Sequence, residues 1–310
     1  MKRLAVAIFL LVGLRVLSAP MGIVVPAYFY PPTDWDGLNF AAGRVSLVVI
    51  MNPANGPGTA VDPNYTAVVN SLHAAGGRVI GYVYSSYAGR STNTVIADID
   101  RFFSFYSIDG IFIDEMANDA DTNHYNYYAT LYQHIEAKGT NLFVMGNPGI
   151  NTQEPYLATV DALLTFEAGD GYSNYVADAW VTNHLARDFC HVPYAVTNAS
   201  TMTNFFNLAA ARNAGWVYIT DASGSNPYDR LPTYWTNEVN YIRSVNLSQP
   251  PTQLRLLSVS NGVAALRISG APGVYELQAS PDLTTWSAAT MVDLQTNSGD
   301  VMDSAPPNSS

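Results

Sequence analysis

Three carboxylates stand directly after apolar segments of the sequence. Asp114 and Glu115 follow residues 111–113, and Glu167 follows residues 163–166. Two carboxylates that meet at one site can cleave a glycosidic bond, because one group protonates the leaving oxygen while the other attacks or stabilises the positive anomeric carbon. Crowding of like charges also raises one pKa, so that one acid can hold its proton near neutral pH. The alternative interpretation of each carboxylate is that it caps the following helix.

Further polar and aromatic side chains come at or near the ends of other apolar segments. They are the candidates for substrate binding: Tyr28, Asn52, Tyr84, Tyr87, Asn147, Tyr218 and Asp221. The sequence contains 20 Tyr against 14 Lys plus Arg, and a flat ring with a hydroxyl suits both the C–H faces and the hydroxyls of a sugar. Taken singly, each Tyr can equally pack in the core or at its rim.

Other chemistries lack the residues that they need. The five His form no H-x-x-x-H or H-E-x-x-H pattern, so the ligands of a catalytic zinc are missing. Residues 119–130 begin like a calcium loop, but His124 and Thr130 occupy the positions of the glycine and the bidentate glutamate. There is no G-x-S-x-G elbow, and Cys190 has no second Cys with which to pair. We therefore predict neither a metal site nor a cofactor.

Eight apolar segments alternate with helix-like stretches between residues 22 and 222. The predicted strands are 22–28, 46–51, 78–84, 108–114, 141–146, 162–166, 192–197 and 216–220, and the predicted helices are 64–75, 92–106, 123–138, 200–213 and 235–245. Several strands are apolar without alternation, as in strands buried on both faces. This order predicts an α/β fold, a (β/α)8 TIM barrel with its functional groups at the C-terminal strand ends. A doubly wound open sheet is the alternative, but no G-x-G-x-x-G occurs.

The two ends of the chain differ in composition from the predicted barrel of residues 21–246. Residues 1–20 have basic residues, then an apolar run and a small-residue exit, which predicts a secretory signal peptide; a buried N-terminal strand or helix is the alternative. Residues 247–253 resemble a linker. Residues 254–310 predict a small β-module, incomplete or truncated, with strands 254–259, 264–269, 275–279 and 286–292 and no closing strand.

The charge balance limits the partners. A formal net charge of −11 without a basic cluster argues against nucleic acid and anionic membranes, which demand a basic face. It would suit a neutral or cationic partner. We expect a monomer that is secreted to the extracellular space or periplasm after removal of the signal peptide.

In their order along the chain, the strand ends resemble the spherulin 4-like family, glycoside hydrolase family 135. The matching segments are 25–31, 49–58, 80–87, 109–115, 147–149 and 166–167, within residues 22–245. The resemblance implies a (β/α)8 barrel that cleaves α-1,4-linked N-acetylgalactosamine in a galactosaminogalactan-type exopolysaccharide, so the expected partner is an amino-sugar polymer. It maps the acidic trio of the family onto Asp114, Glu115 and Glu167.

On this resemblance Asp114 is expected to be the nucleophile or charge stabiliser and Glu167 the general acid/base, with Glu115 in support. The acetamido group of an α-linked sugar lies on the face of the leaving group and cannot attack from behind, so the protein must supply the nucleophile. We therefore expect a short separation of Asp114 and Glu167, with retention of configuration. A non-catalytic carbohydrate-binding barrel and a structural coat or matrix protein remain the alternatives.

Overall fold

The computed structural model describes residues 11–16, 21–248, 253–260, 263–270, 273–280, 287–294 and 298–303. The chain divides into two compact units. One is Pro20–Ser244, and the other combines Met1–Ala19 with Val245–Ser310.

The strands of the described residues are β1 (Leu11–Val16), β2 (Gly22–Ala27), β3 (Leu47–Met51), β4 (Arg78–Tyr84), β5 (Gly110–Asp114), β6 (Phe143–Gly146), β7 (Ala162–Ala168), β8 (Phe189–Pro193), β9 (Trp216–Val217), β10 (Gln253–Ser260), β11 (Val263–Ser269), β12 (Gly273–Ser280), β13 (Ser287–Leu294) and β14 (Ser298–Asp303). The α-helices are α1 (Trp35–Ala42), α2 (Pro63–Ala74), α3 (Thr92–Phe105), α4 (Thr122–Glu136), α5 (Ala199–Ala211) and α6 (Trp235–Ser248). Strands β2 to β9 form a closed barrel in chain order.

All strand pairs of the barrel are parallel, and β9 closes the ring by pairing with both β8 and β2. Strands β2 and β3 are buried at every residue, because the sheet faces the barrel interior on one side and helices on the other. Each fully buried large apolar side chain stabilises the fold by about 1.5–3 kcal/mol. Glycine permits close packing here: a Cβ on Gly81 of β4 would lie 2.7 Å from the Phe102 ring of α3.

The two halves of the barrel are connected differently. Strands β2 to β5 are each followed by an α-helix, α1 to α4, and we call this the regular half. After β6 and β7 the connections contain short 3-10 helices, and we call strands β6 to β9 with their connections the irregular half. Its last strand, β9, has only two residues, and Glu238 of α6, fully buried, accepts a hydrogen bond from the Ile219 amide at 3.1 Å just beyond it.

The predicted TIM barrel is confirmed, with corrections to its elements. The seventh strand was predicted at 192–197, but β8 begins at Phe189 and ends at Pro193, before Ala195 takes a positive φ of 58°. The polar His191 interrupts the apolar pattern of this strand in the sequence. In the structure its ring is buried and forms a hydrogen bond with the Tyr172 hydroxyl at 2.8 Å. Helix α1 was not predicted from the sequence. In the structure, Asp34 before it makes no cap hydrogen bond to the helix and accepts instead from the Leu231 amide.

The second unit contains two three-stranded antiparallel sheets, in the orders β1-β12-β13 and β10-β11-β14. Strand β14 was not predicted and pairs with β11, so the expectation that no closing strand exists was wrong. Strand β1 lies inside the predicted signal peptide and pairs with β12. The signal peptide stays a prediction, and residues 1–10 and 17–20 lie outside the described residues. Within the described ranges, no helix has the length and apolar character that crossing a membrane requires.

Candidate active site

A cavity of about 410 Å³ lies at the C-terminal ends of the barrel strands. Its lining combines carboxylates, amides and tyrosines: Tyr28, Asn52, Asn55, Tyr82, Asp114, Glu167, Tyr194, Gly224, Ser225, Asn226, Pro227 and Tyr228. Asp114 is the last residue of β5, and Glu167 lies near the end of β7. Two of the three predicted acids therefore face one cavity at the end of the barrel where TIM-barrel enzymes carry their active sites.

One side-chain amide joins these two acids. The Asn147 Nδ2 donates one hydrogen bond to Asp114 Oδ1 at 2.8 Å and another to Glu167 Oε2 at 2.6 Å. The two carboxylate oxygens are therefore at most 5.4 Å apart, the sum of these distances. Asn147 is only 7% exposed and its backbone bonds to Ile113 and Met116 of the β5 end, so the bridge is fixed. Asn147 was predicted to bind substrate; the carboxylates accept both of its amide hydrogens, so binding through Asn147 Oδ1 stays a prediction.

A tyrosine hydroxyl donates to the other oxygen of each acid. Tyr82 of β4 donates to Asp114 Oδ2 at 2.7 Å. Tyr228, in the segment between β9 and α6, donates to Glu167 Oε1 at 2.5 Å. The result is a continuous chain of hydrogen bonds from Tyr82 through both acids to Tyr228, with Asn147 at its centre.

Burial is the main cause that raises the pKa of both acids. The pKa of Asp114 is raised because the carboxyl is buried, and repulsion from Glu115 adds to the increase, against the hydrogen bonds from Tyr82 and Asn147. The pKa of Glu167 is raised by burial and by repulsion from Asp114, against the hydrogen bonds from Tyr228 and Asn147. Two close acids with raised pKa values can hold one proton between them, as acid/base catalysis needs.

Glu115, the third predicted acid, does not line the cavity. Its Oε2 accepts from the Ser86 hydroxyl at 3.1 Å, and its backbone oxygen accepts from the Tyr87 amide at 2.7 Å. Ser86, Tyr87, Ala88 and Glu115 all have positive φ angles, between 49° and 67°. Non-glycine residues adopt this conformation at a cost of about 1–2 kcal/mol each, so the contacts of Glu115 hold a strained loop in place.

Two of the predicted substrate-binding residues line the cavity. The Tyr28 ring lies edge-on to both Tyr82 and Tyr228, with 5.6 Å between centroids in each pair. Asn52 Oδ1 accepts from the Gly56 amide at 2.9 Å, which fixes the loop after β3. No described residue accepts from the Asn52 amide nitrogen, so its two hydrogens are available to a ligand.

Four predicted substrate-binding residues lie outside the cavity. Tyr84 packs under the Arg90 guanidinium at 4.0 Å, and the ring of Tyr87 is 63% exposed. Tyr218 is fully buried, and its ring packs on Trp235 of α6 with 6.3 Å between the centroids. Asp221 forms an ion pair with Arg230 at 2.7 Å. Neither residue lines the cavity, so the structure does not bring these two predicted side chains to the candidate site.

Most of the residues that complete the cavity were not predicted from the sequence: Asn55, Tyr82, Tyr194, Asn226 and Tyr228. Tyr82 lies two residues before the end of β4, and its long side chain reaches the mouth. Tyr228 and Asn226 lie in a segment without periodicity, for which the sequence contains no positional signal.

Within the described part of the chain, no three His, Cys, Asp or Glu side chains come together as a metal site would require.

Comparisons with known proteins show the family and the fold of this chain. Residues 22–242 match the family model of spherulation-specific family 4. Spherulin-4 of Physarum polycephalum is 33% identical over 243 residues, which are 74% of this chain and 72% of that protein. The crystal structure of Aspergillus clavatus Sph3 in complex with GalNAc has a TM-score of 0.65 and 24% identity, covers 74% of this chain and 100% of its own, and shows the fold. The family resemblance is confirmed: the chain belongs to spherulation-specific family 4.

Proposed function

We propose that this protein is a secreted glycoside hydrolase that cleaves α-1,4-linked N-acetylgalactosamine in a galactosaminogalactan-type exopolysaccharide. One observation carries the proposal. A single amide nitrogen, Asn147 Nδ2, holds Asp114 and Glu167 with their nearest oxygens at most 5.4 Å apart. Retaining glycosidases place their two carboxyl groups about 5–5.5 Å apart, whereas inverting enzymes need about 6.5–9.5 Å to admit a water. The short separation supports catalysis with retention.

The roles follow from the lengths and surroundings of the two acids. Protonated Glu167 gives its proton to the glycosidic oxygen while Asp114 bonds to the anomeric carbon and the carbon–oxygen bond breaks. A water then attacks the same carbon, the ionised Glu167 takes its proton, and the bond to Asp114 breaks. Asp114 is short and fixed at a strand end, which suits a nucleophile, and the longer Glu167 can reach the leaving oxygen. Glu115 acts in support, through the loop that contains Ser86 and Tyr87.

The cavity suits an uncharged sugar. Apart from the two acids, its polar side chains are neutral amides and hydroxyls such as Asn52, Asn55 and Asn226, and no Lys or Arg lines it. Tyrosine rings, among them Tyr28 and Tyr194, supply the flat apolar surfaces on which the C–H face of a pyranose packs. The choice of N-acetylgalactosamine depends on the family and on the Aspergillus relative, whose solved structure contains GalNAc.

The test is incubation of the purified protein with an α-1,4-linked N-acetylgalactosamine polymer, followed by assay of new reducing ends and NMR of the first-formed anomer. We expect reducing ends to appear and the α anomer to form first. A β anomer at early times would overturn the nucleophile role of Asp114. Glu136→Gln is the matched control for variants of the two cavity acids. Glu136 is an exposed acid at the end of α4 that does not line the cavity.

Absence of cleavage would favour the alternatives. A non-catalytic carbohydrate-binding protein would still bind the polymer in calorimetry without releasing reducing ends. A coat or matrix protein would do neither. Secretion is tested separately by expressing the full chain and determining whether the exported protein has lost residues 1–20.

A further inference from the structure

A second cavity, of about 360 Å³, lies at the same end of the barrel and is not used by the mechanism above. It is formed by the loops after β7 and β8 and by the first turn of α5. Tyr194 lines this cavity and the catalytic cavity alike. The two cavities are therefore neighbours that share one wall, on the side of the barrel from which Glu167 comes.

The shared wall is held in place. The Tyr194 amide donates to the Ala168 oxygen at 3.1 Å, which ties the loop after β8 to the end of β7. A Cβ on Gly169 would lie 2.7 Å from the Tyr194 ring, so the glycine allows the ring to pack directly on the backbone. On the other side, the ring meets Tyr228 edge-on at 6.3 Å. Tyr194 is thus a fixed partition between the cavities.

The lining of the second cavity has the character of a sugar site. Phe205 supplies partly exposed aromatic surface, and its ring packs on the buried Tyr172 with ring centroids 4.9 Å apart. Asn174 and Thr197 are exposed and uncharged, and no Lys or Arg lines the cavity. Asp170 is an exposed carboxylate, and among the described residues none forms a hydrogen bond or ion pair with it. The exposed Asp170 favours a ligand that offers hydrogen-bond donors.

We propose that the second cavity binds the neighbouring sugar of the same polymer, with Asp170 accepting hydrogen bonds from its hydroxyl or ammonium groups. Two adjoining cavities, each within the usual size range of small-ligand sites, match two linked sugar units better than one. The glycosidic chain passes Tyr194, whose ring contacts both units. This inference rests on the proposed function and names the residues that extend it beyond the cleavage point.

The experiment compares cleavage of α-1,4-linked N-acetylgalactosamine oligosaccharides of two to six units. The wild-type value of kcat/KM should rise by about tenfold or more once the oligosaccharide is long enough to fill the second cavity, since a hydrogen bond to a charged group is worth about that much. Thr197→Trp, which fills the cavity from an exposed wall, and Asp170→Asn should abolish most of this rise. The control Glu136→Gln should keep it. A length dependence that is absent, or that both variants retain, would overturn the proposal.

Partly deacetylated oligosaccharides identify the group that Asp170 binds. A larger loss for Asp170→Asn on deacetylated than on acetylated oligosaccharides assigns the contact to an ammonium group. An equal loss on both assigns it to a hydroxyl. No loss on either, with Thr197→Trp also unaffected, contradicts the subsite.

Failure of the proposed function can be told apart from failure of this inference. If wild type cleaves none of the oligosaccharides, the proposed hydrolase activity fails, and calorimetry still tests the second cavity. We then expect long oligosaccharides to bind wild type about tenfold more tightly than they bind Thr197→Trp. Equal affinities for the two proteins would refute the subsite whether or not the protein is an enzyme.

Discussion

Asp114 and Glu167 each accept hydrogen bonds from Asn147 and from a tyrosine hydroxyl, but the two tyrosines lie on different kinds of element. Asp114 belongs to the regular half of the barrel, and its tyrosine, Tyr82, lies on the adjacent strand β4. Glu167 belongs to the irregular half, and its tyrosine, Tyr228, comes from the segment between β9 and α6. One acid is held by a partner that the barrel itself fixes, and the other by a partner on a long connection.

The backbone is also held differently at the two tyrosines. Tyr82 is inside a strand whose ladder with β5 fixes its position. Tyr228 is tied by two hydrogen bonds, from its amide to Asn226 Oδ1 and from the Tyr28 amide to its oxygen. The hydrogen bond to Asp114 thus comes from a strand residue, and the one to Glu167 comes from a buried residue of a connecting segment.

The largest expected effect comes from the acids themselves. Asp114→Asn and Glu167→Gln should each lower turnover by about 10²-fold or more with the fold intact, because each removes a group that reacts. Steady-state rates with circular dichroism as the folding check measure this. Near wild-type turnover in either variant would show that the residue has been given the wrong role.

Asn147 is the element common to both acids, and its loss should come next. Asn147→Leu keeps the shape but removes both donors, so turnover should fall by about 10–10²-fold, the value of the lost hydrogen bonds to charged groups. Because hydrogen bonds to a carboxylate lower its pKa, both acids should titrate at higher pH in the variant. The pH profile of kcat/KM decides the matter: a purely structural role would lower stability but leave both limbs where they were.

The two tyrosines test the comparison directly. Tyr82→Phe should raise the pKa of Asp114, which must be ionised to attack, so the acidic limb of the profile moves to higher pH. Tyr228→Phe should raise the pKa of Glu167, which must be protonated to act, so the alkaline limb moves to higher pH. Each variant should lose about tenfold in rate. If both moved the same limb, the assignment of acid and nucleophile would have to be changed.

Glu115 should show the smallest effect. Glu115→Gln keeps an oxygen that can accept from Ser86, so we expect a loss of only a few-fold, within the range of one neutral hydrogen bond. Glu115→Ala removes the acceptor from a strained loop and should cost more in thermal stability than in rate. A loss in Glu115→Gln as large as that in Asp114→Asn would place Glu115 among the reacting groups.

The barrel strands and the acids at their ends were predicted from the sequence, whereas the residues on irregular connecting segments were not. Asp114 and Glu167 were found because apolar strands end at them and parallel strand ends meet at one mouth. The part played by Asn147 was not predicted, since a strand end indicates where a side chain begins and not which acid it contacts. Tyr228 comes from a segment without periodicity. Tyr218 was predicted at the site because strand 216–220 was expected to end near it, but its side chain is fully buried against Trp235.

The buried Glu238 beside β9 links barrel closure to the binding of a proton. Burial raises the pKa of this carboxyl well above its ordinary 4.5. The folded barrel therefore keeps a proton that the unfolded chain releases above that value. By linkage, the stabilisation is complete below about pH 4.5 and is lost as the pH rises towards the folded pKa. The wild-type Tm should fall more between pH 5 and pH 8 than the Tm of Glu238→Gln, because the amide oxygen of the variant can still accept from Ile219 and its side chain does not titrate. Parallel curves would show that Glu238 holds no such proton.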